Sequence, residues 1–577
     1  MAIRGNIVQS KNVWYAVKVE KAKNPAEYGR MYMSLEMRVL THLDKVFLDE
    51  APMESTHRFQ GFQNEKIDFQ LAFREFSDYW NEVQLTVSSP IEKYISVREA
   101  KQVPVGFPMY PSAGEDCLRT ENGLYPDLLT EVRPHALHSS RRWTSLWIRV
   151  ETNGEVEPGV YPIEFSLKNE EWDLAGKRTV LVEILPGMLP EQELIHTKWF
   201  HCDGLAQYYH VDVFSEKHWE LIETQIRCAV DNGINMILMP THTPPLDTRI
   251  GAERLTTQLV GVTVENGVYS FNMDLVHRWI KMCKRCGVKY YEVAHLFTQW
   301  GCQHAPKVMA KVDGEAKRIF GWDTDAAGEE YKQFLHAYIP ALKEVFAEEG
   351  ILENVFWHIS DEPSEQHLEN YKKARAQVDE VLQGCSIMDA LSEYEFYEQG
   401  LVPMPVPAND CIEPFLEHQV PGLWTYYCCG QVNKVSNMFI AFPSYRNRIL
   451  GCQLFKFNIR GFLQWGFNFY NSQYSDYPIN PYATTDADGW VPAGDPFQVY
   501  PGKDGKPEES IRLAVTTQAL QDLRAMRMLE KLTSHEYVVS IMDEMAMEPV
   551  TFSQYPRNNM YLLTLREKIN KEIVARQ

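Results

Sequence analysis

Between residues 60 and 185 apolar and polar positions alternate in short runs. Asn81-Glu82-Val83-Gln84-Leu85-Thr86-Val87, Lys93-Tyr94-Ile95-Ser96-Val97, Ser145-Leu146-Trp147-Ile148-Arg149-Val150 and Val160-Tyr161-Pro162-Ile163-Glu164-Phe165-Ser166-Leu167 all show it. A period of two sends one face of a strand into a core and the other into water. Turn residues such as Asn153-Gly154 and Pro158-Gly159 separate the runs, so the pattern predicts an antiparallel β-sandwich. Tyr28 to Phe47 reads equally as a helix or as two short strands. No catalytic constellation stands out in this part, which reads as an accessory domain.

The rhythm changes after the linker-like Leu185-Pro186-Gly187-Met188-Leu189-Pro190. Apolar runs are now continuous, as in strands buried on both faces. They fall at 196–201, 234–240, 288–295, 355–363, 386–390, 401–406, 423–427 and 461–466. Helical spacing fills 215–232, 272–286, 328–349 and 364–382, with Gly233, Gly287 and Gly350 closing the first three. Ser364 is placed to cap the fourth. Eight strands with mostly helical connections predict a (β/α)8 barrel. A further helix, 510–532, follows it. The expected division is 1–188 as an N-terminal β-sandwich, 189–535 as the barrel, and 536–577 as a tail packed on the barrel.

Composition narrows the chemistry. The 577 residues are 45% hydrophobic and 12% aromatic and carry a formal charge of -21. That balance fits packed domains and argues against nucleic acid or an anionic membrane as partner. No run is long and apolar enough for a membrane span, and Met1 to Lys11 lacks the apolar segment of a secretory signal. A cytoplasmic protein is expected, and 11 irregularly spaced cysteines agree with a reducing compartment. Cys283-Lys284-Arg285-Cys286 has no second ligand pair to make a zinc site.

The fourth strand run, Val355-Phe356-Trp357-His358-Ile359-Ser360-Asp361-Glu362-Pro363, ends in two acids and a proline. In a barrel the site lies at the C-terminal strand ends. Those ends carry His201 and Asp203, Thr241 and His242, His295 with Gln299 and Trp300, then His358, Asp361 and Glu362. Asp389, Asn409, Asp410, Trp424, Tyr426, Trp465 and Asn468 follow. Aromatic walls with a few aimed polar groups make a sugar pocket. His201, Asp203, His242 and His295 are the set a metal would use, but no H-x-H or H-x-x-E-H spacing supports one. Neither a metal nor an organic cofactor is expected.

Phe297-Thr298-Gln299-Trp300-Gly301, Phe320-Gly321-Trp322-Asp323-Thr324 and His358-Ile359-Ser360-Asp361-Glu362-Pro363 together resemble glycoside hydrolase family 123. The resemblance extends to the related bacterial proteins whose domain is similar to it. Leu423-Trp424-Thr425-Tyr426, Gln464-Trp465-Gly466-Phe467-Asn468, Tyr500-Pro501-Gly502 and Ser510-Ile511-Arg512 extend it over about residues 190 to 535. The resemblance implies an exo-acting, retaining β-N-acetylgalactosaminidase or β-N-acetylhexosaminidase whose nucleophile is the substrate's own acetamide. Asp361 would then orient the acetamide and stay ionised, and a protonated Glu362 would be the general acid and base. Trp424 and Trp465 would wall the sugar and Tyr426 would donate to the acetamide oxygen. Asn468, His358 and His295, with Trp300 and Asp203, would complete substrate binding. The closing helix lacks the Glu-Gly and Asp-Tyr pairs often found in barrel hydrolases of this broad kind, which bears on substrate identity. A glycosidase for a non-acetylated sugar and a catalytically inactive carbohydrate-binding protein remain open alternatives.

Overall fold

The computed structural model describes residues 35–577 apart from 77–79, 112–115, 134–136, 170–173 and 300. Trp300 and residues 28–34 of the ambiguous 28–47 stretch lie outside these residues; in the described part of that stretch Glu36–Thr41 is a strand.

All eight expected barrel strands form: β1 Ile195–Lys198, β2 Met236–Met239, β3 Tyr290–Val293, β4 Val355–Trp357, β5 Ser386–Leu391, β6 Met404–Pro407, β7 Trp424–Tyr426 and β8 Gly461–Gln464. They pair in parallel in the order β6-β5-β4-β3-β2-β1-β8-β7. The seam between β6 and β7 is held by a single bridge, Ala408 to Tyr426, and by the Asn409 amide donating to the Tyr426 carbonyl at 2.9 Å. The barrel is nearly closed. Ile195, Met236, Leu238, Phe356, Met388, Val406, Trp424 and Leu463 fill its interior, while alternate neighbours such as Tyr291, Val293, Val355 and Trp357 face the surrounding helices.

Helices Glu216–Asp231, Asp274–Cys286, Glu329–Glu348 and Leu368–Val378 occupy the first four crossovers. Ser215 caps the first by accepting from the His218 amide at 3.3 Å, and Gly287 ends the second at a φ of 91°. Ser364 caps a single 3-10 turn, Glu365–His367, ahead of the fourth helix. The crossovers from β5 onward carry only short helices. Two hairpins not anticipated from sequence, Gly261–Glu265 with Val268–Asn272 and Val308–Val312 with Glu315–Phe320, form a four-stranded sheet from the loops after β2 and β3. The tail consists of two helices, His535–Ala546 and Asn559–Val574.

Ahead of the barrel, a five-stranded and a four-stranded sheet account for the alternating runs. Phe69, Leu71, Leu146 and Ile148 of the first share one buried cluster with Ile163, Phe165, Val180 and Val182 of the second. These sheets touch the barrel through buried charges. Arg512, at the start of helix Ile511–Leu532, meets both oxygens of Asp127 at 2.9 Å, and Tyr500 donates to Asp127 at 2.7 Å. The Arg512 guanidinium also donates to the carbonyls of Gly494, at 2.5 Å, and Phe497, at 2.9 Å.

Candidate active site

Asp361 and Glu362 lie just past β4, where the chain leaves the barrel. Glu362 sits at a φ of 44°, a left-handed backbone unusual for a residue with a Cβ. Its amide donates to the Ala390 carbonyl of β5 at 3.1 Å, which holds the turn. The twist sends the two adjacent side chains to different partners inside one pocket. Gln299, after β3, donates to Asp361 Oδ2 at 2.5 Å. Tyr426, ending β7, donates to Glu362 Oε1 at 2.6 Å, and the Cys428 thiol lies 3.9 Å from the same oxygen.

Burial governs both acids. It pushes Asp361 well above the usual carboxylate range and the Glu362 charge adds to this, against the Gln299 hydrogen bond and the positive charge on His358. Burial raises Glu362 as well, while the hydrogen bonds from Tyr426 and Cys428 hold it back. Burial thus opposes ionisation of both neighbouring acids.

The pocket is a cavity of about 90 Å3 at the C-terminal strand ends. Its walls bring Trp199, His201, Trp465 and Trp490 around the two acids, with Asp247 and Gln299 on the side of β2 and β3. Trp465 is fixed by its indole N–H, which donates to Asp495 at 2.7 Å, and its ring meets Trp490 edge-on at 5.8 Å. A roomier cavity of about 460 Å3 opens between the N-terminal sheets and the last helix. Its buried acids are already neutralised, Asp68 by Arg149 at 2.8 Å and Glu65 by Arg566 at 2.6 Å, so the barrel pocket holds the free acid chemistry.

Residues 199–529 match the family model described as glycoside hydrolase 123, catalytic domain. The chain belongs to glycoside hydrolase family 123. Its activity class is therefore that of a glycosidase, acting on a carbohydrate. A family 123 glycoside hydrolase from Clostridium perfringens, described for glycolipid glycan hydrolysis, aligns with a TM-score of 0.72 at 14% identity. The alignment covers 93% of this chain and 98% of that one, and shows a shared fold. A β-glucuronidase from Parabacteroides merdae aligns with a TM-score of 0.29 at 11% identity, over 85% of this chain and 52% of that one. No curated protein matches the chain.

Several residues that the sequence placed in the pocket of this family 123 barrel sit elsewhere. Trp424 begins β7 rather than ending it, so its fully buried ring fills the barrel interior against Phe356 at 5.8 Å and Gly461. Asp203 is buried in a pair with Arg254 at 2.7 Å. Asn468 accepts from the His201 amide at 2.8 Å, one layer behind the wall it supports. His358 follows the inward-facing Phe356 and is buried beneath the acid pair, 2.9 Å from Glu292 and 3.3 Å from Asp389. Burial alone would lower its pKa, but the two carboxylates outweigh it and push the imidazole up to about 9. Tyr426 does line the pocket, yet its hydroxyl is spent on Glu362.

Glu292 escaped the sequence reading. It is fully buried on β3, accepts from Thr197 and from the Trp199 indole at 2.9 Å, and pairs with His358. A lone acid inside the apolar run Tyr290-Tyr291-Glu292-Val293 was the available signal. Among the described residues, His295, His358 and Asp389 place possible metal-ligand atoms within 4.8 Å of one another. The rings of His295 and His358, however, stack at 4.2 Å with 19° between their planes. An imidazole lone pair lies in the ring plane, so two nearly parallel rings cannot aim at one ion. A His358 held protonated has no lone pair to offer either. The cluster does not fit a metal.

Proposed function

We propose that this family 123 glycosidase is an exo-acting, retaining β-N-acetylgalactosaminidase or β-N-acetylhexosaminidase that uses the substrate's 2-acetamido group as nucleophile. The supporting observation is that two of the pocket's acids, Asp361 and Glu362, are neighbours in sequence with diverging partners. Ordinary retention needs two carboxyls facing each other about 5 Å apart across the scissile bond. Adjacent acids instead suit one carboxyl on the acetamide N–H and one on the leaving oxygen.

In this reading Glu362 Oε2 carries the proton, since Tyr426 occupies Oε1. The acetamide oxygen bonds to C1 as the C1–O bond breaks, and Glu362 protonates the departing oxygen. Asp361 accepts the acetamide N–H and offsets the positive charge that grows on the oxazolinium ring. That N–H and that charge both favour the ionised form, so binding draws the Asp361 proton off. Glu362 then takes a proton from the water that attacks C1, the bond from C1 to the acetamide oxygen breaks, and the free sugar forms with retained configuration. Trp465 and Trp490 supply ring faces for the sugar. Within the same reading, the two N-terminal sheets form a β-sandwich accessory domain over 1–188, the barrel spans 189–535 and the two tail helices pack on it.

A panel of nitrophenyl glycosides tests this. Turnover of the 2-acetamido glycosides with inhibition by an N-acetyl thiazoline is expected. Turnover of plain galactosides or glucosides, untouched by the thiazoline, overturns it.

A further inference from the structure

Asp247 is an acid that the mechanism above does not use. It lies in the loop after β2, is 4% exposed and lines the same cavity as Asp361 and Glu362. Neither carboxylate oxygen makes a hydrogen bond of normal geometry, although the backbone N–H of Tyr474 faces the group closely enough to favour its charge. Native structures rarely leave a buried carboxylate in that condition, and the desolvation it suffers is costly. Burial lifts its pKa to about 7.

The backbone holds this acid in place deliberately. Asp247 has a φ of 40°, in the left-handed region. Its amide donates to Gln299 Oε1, and its carbonyl accepts from Ser475 at 2.7 Å. A residue kept in sparsely populated backbone space by bonds on both sides is a mark of function. Gln299 is thus shared: one end of its amide holds the Asp247 backbone and the other holds Asp361.

The order of loops around the barrel mouth gives the direction. Glu362 reaches away from β4 toward Tyr426 and Cys428 after β7, whereas Asp361 leans toward Gln299 after β3, with Asp247 beyond it after β2. If Glu362 meets the bond at C1 and Asp361 the substituent at C2, the next ring positions in that direction are C3 and C4. We propose that Asp247 holds the O3 and O4 hydroxyls of the terminal sugar and so determines which epimer the pocket accepts. Two adjacent hydroxyls match the two free oxygens of one carboxylate. The inference rests on the reading of Asp361 and Glu362 given above.

The test compares 3-deoxy and 4-deoxy nitrophenyl glycosides with their parent substrate on the wild-type enzyme and on Asp247→Ala. A site built around a hydroxyl rejects the analogue lacking it strongly, so the wild type should lose at least about a hundredfold in kcat/KM on one or both deoxy substrates. In Asp247→Ala the penalty should shrink to within a few-fold, because the partner is gone. Asp247→Asn, which keeps one acceptor oxygen, should fall between them. A wild type indifferent to both deoxy substitutions overturns the proposal without any variant. So does an undiminished penalty in Asp247→Ala. If the enzyme instead cleaves only plain glycosides, the acetamide reading fails, and the same deoxy comparison made on those glycosides still decides the role of Asp247.

Discussion

The hydroxyl of Tyr426 donates to Oε1 of Glu362 at 2.6 Å, from the strand on the far side of the barrel mouth. A hydrogen bond given to a carboxylate favours the charged form, so Tyr426 tempers the rise that burial imposes on Glu362. Removing it in Tyr426→Phe should raise the Glu362 pKa. A general acid works while protonated, so the alkaline limb of the kcat/KM profile should move to higher pH. An unmoved limb would show that Glu362 is not the group titrating there.

In the proposed mechanism Glu362→Gln removes the proton donor and little else. With a poor leaving group, turnover should drop at least about a hundredfold, because general acid catalysis is worth that much. With an activated leaving group such as dinitrophenolate, the first step should be nearly spared. Equal losses on both substrates would reject the acid role.

Asp361→Asn should act differently. In the proposed mechanism it keeps a neutral partner for the acetamide but removes the charge that offsets the oxazolinium ring. We expect kcat to fall on all leaving groups and thiazoline affinity to weaken. Thiazoline binding measured by calorimetry and found unchanged would separate Asp361 from the acetamide.

His358 makes stability depend on pH. Its folded pKa, about 9, lies above its ordinary 6.5 because Glu292 and Asp389 flank it. The stabilisation is therefore complete below pH 6.5 and is lost as pH rises through 9. Melting temperatures across pH 6 to 10 should fall over that window in the parent. His358→Gln should start lower and show a flatter slope there. The same slope in both proteins would remove His358 from the account.

Breaking the Asp127–Arg512 pair should be costly. Arg512→Met leaves Asp127 buried without its cation, a loss of about 3–5 kcal/mol in comparable buried pairs. Thermal unfolding should shift down by several degrees. Losing no stability would mean that water reaches Asp127 readily in the variant.

The barrel was legible because each of its strands is buried on both faces, which leaves a continuous apolar run ended by polar residues. The hairpins at 261–272 and 308–320 were missed although Asn266-Gly267 and Asp313-Gly314 announce them. All four residues have positive φ, as the tightest hairpin turns demand. The tail helices also carried their signals, Ser534 and Asn558, which cap them by accepting from the Tyr537 and Tyr561 amides.

At the site, the placing of the acid pair was readable because the apolar run of β4 stops at Asp361-Glu362, which sets both at the barrel mouth. Trp424 and Trp465 were not separable. Both stand inside a predicted strand run, but one opens β7 and the other follows the last residue of β8, which puts them at opposite ends of the barrel. Such a shift of two or three residues is finer than apolar patterning resolves. Asp247 and Glu292 depend on loop path and strand facing, which single positions do not encode.

Arg512 carries one more consequence. Its guanidinium joins Asp127 of the N-terminal sheets to the carbonyls of Gly494 and Phe497. Between those two carbonyls stands Asp495, the residue that anchors the Trp465 indole. The front sheets are thus mechanically continuous with a wall of the sugar pocket. A barrel cut free of them would lose the counter-ion of a buried arginine and the footing of a pocket-lining ring together. Exchanging the front sheets between relatives should alter how the pocket grips sugar, even though none of their described residues lines it.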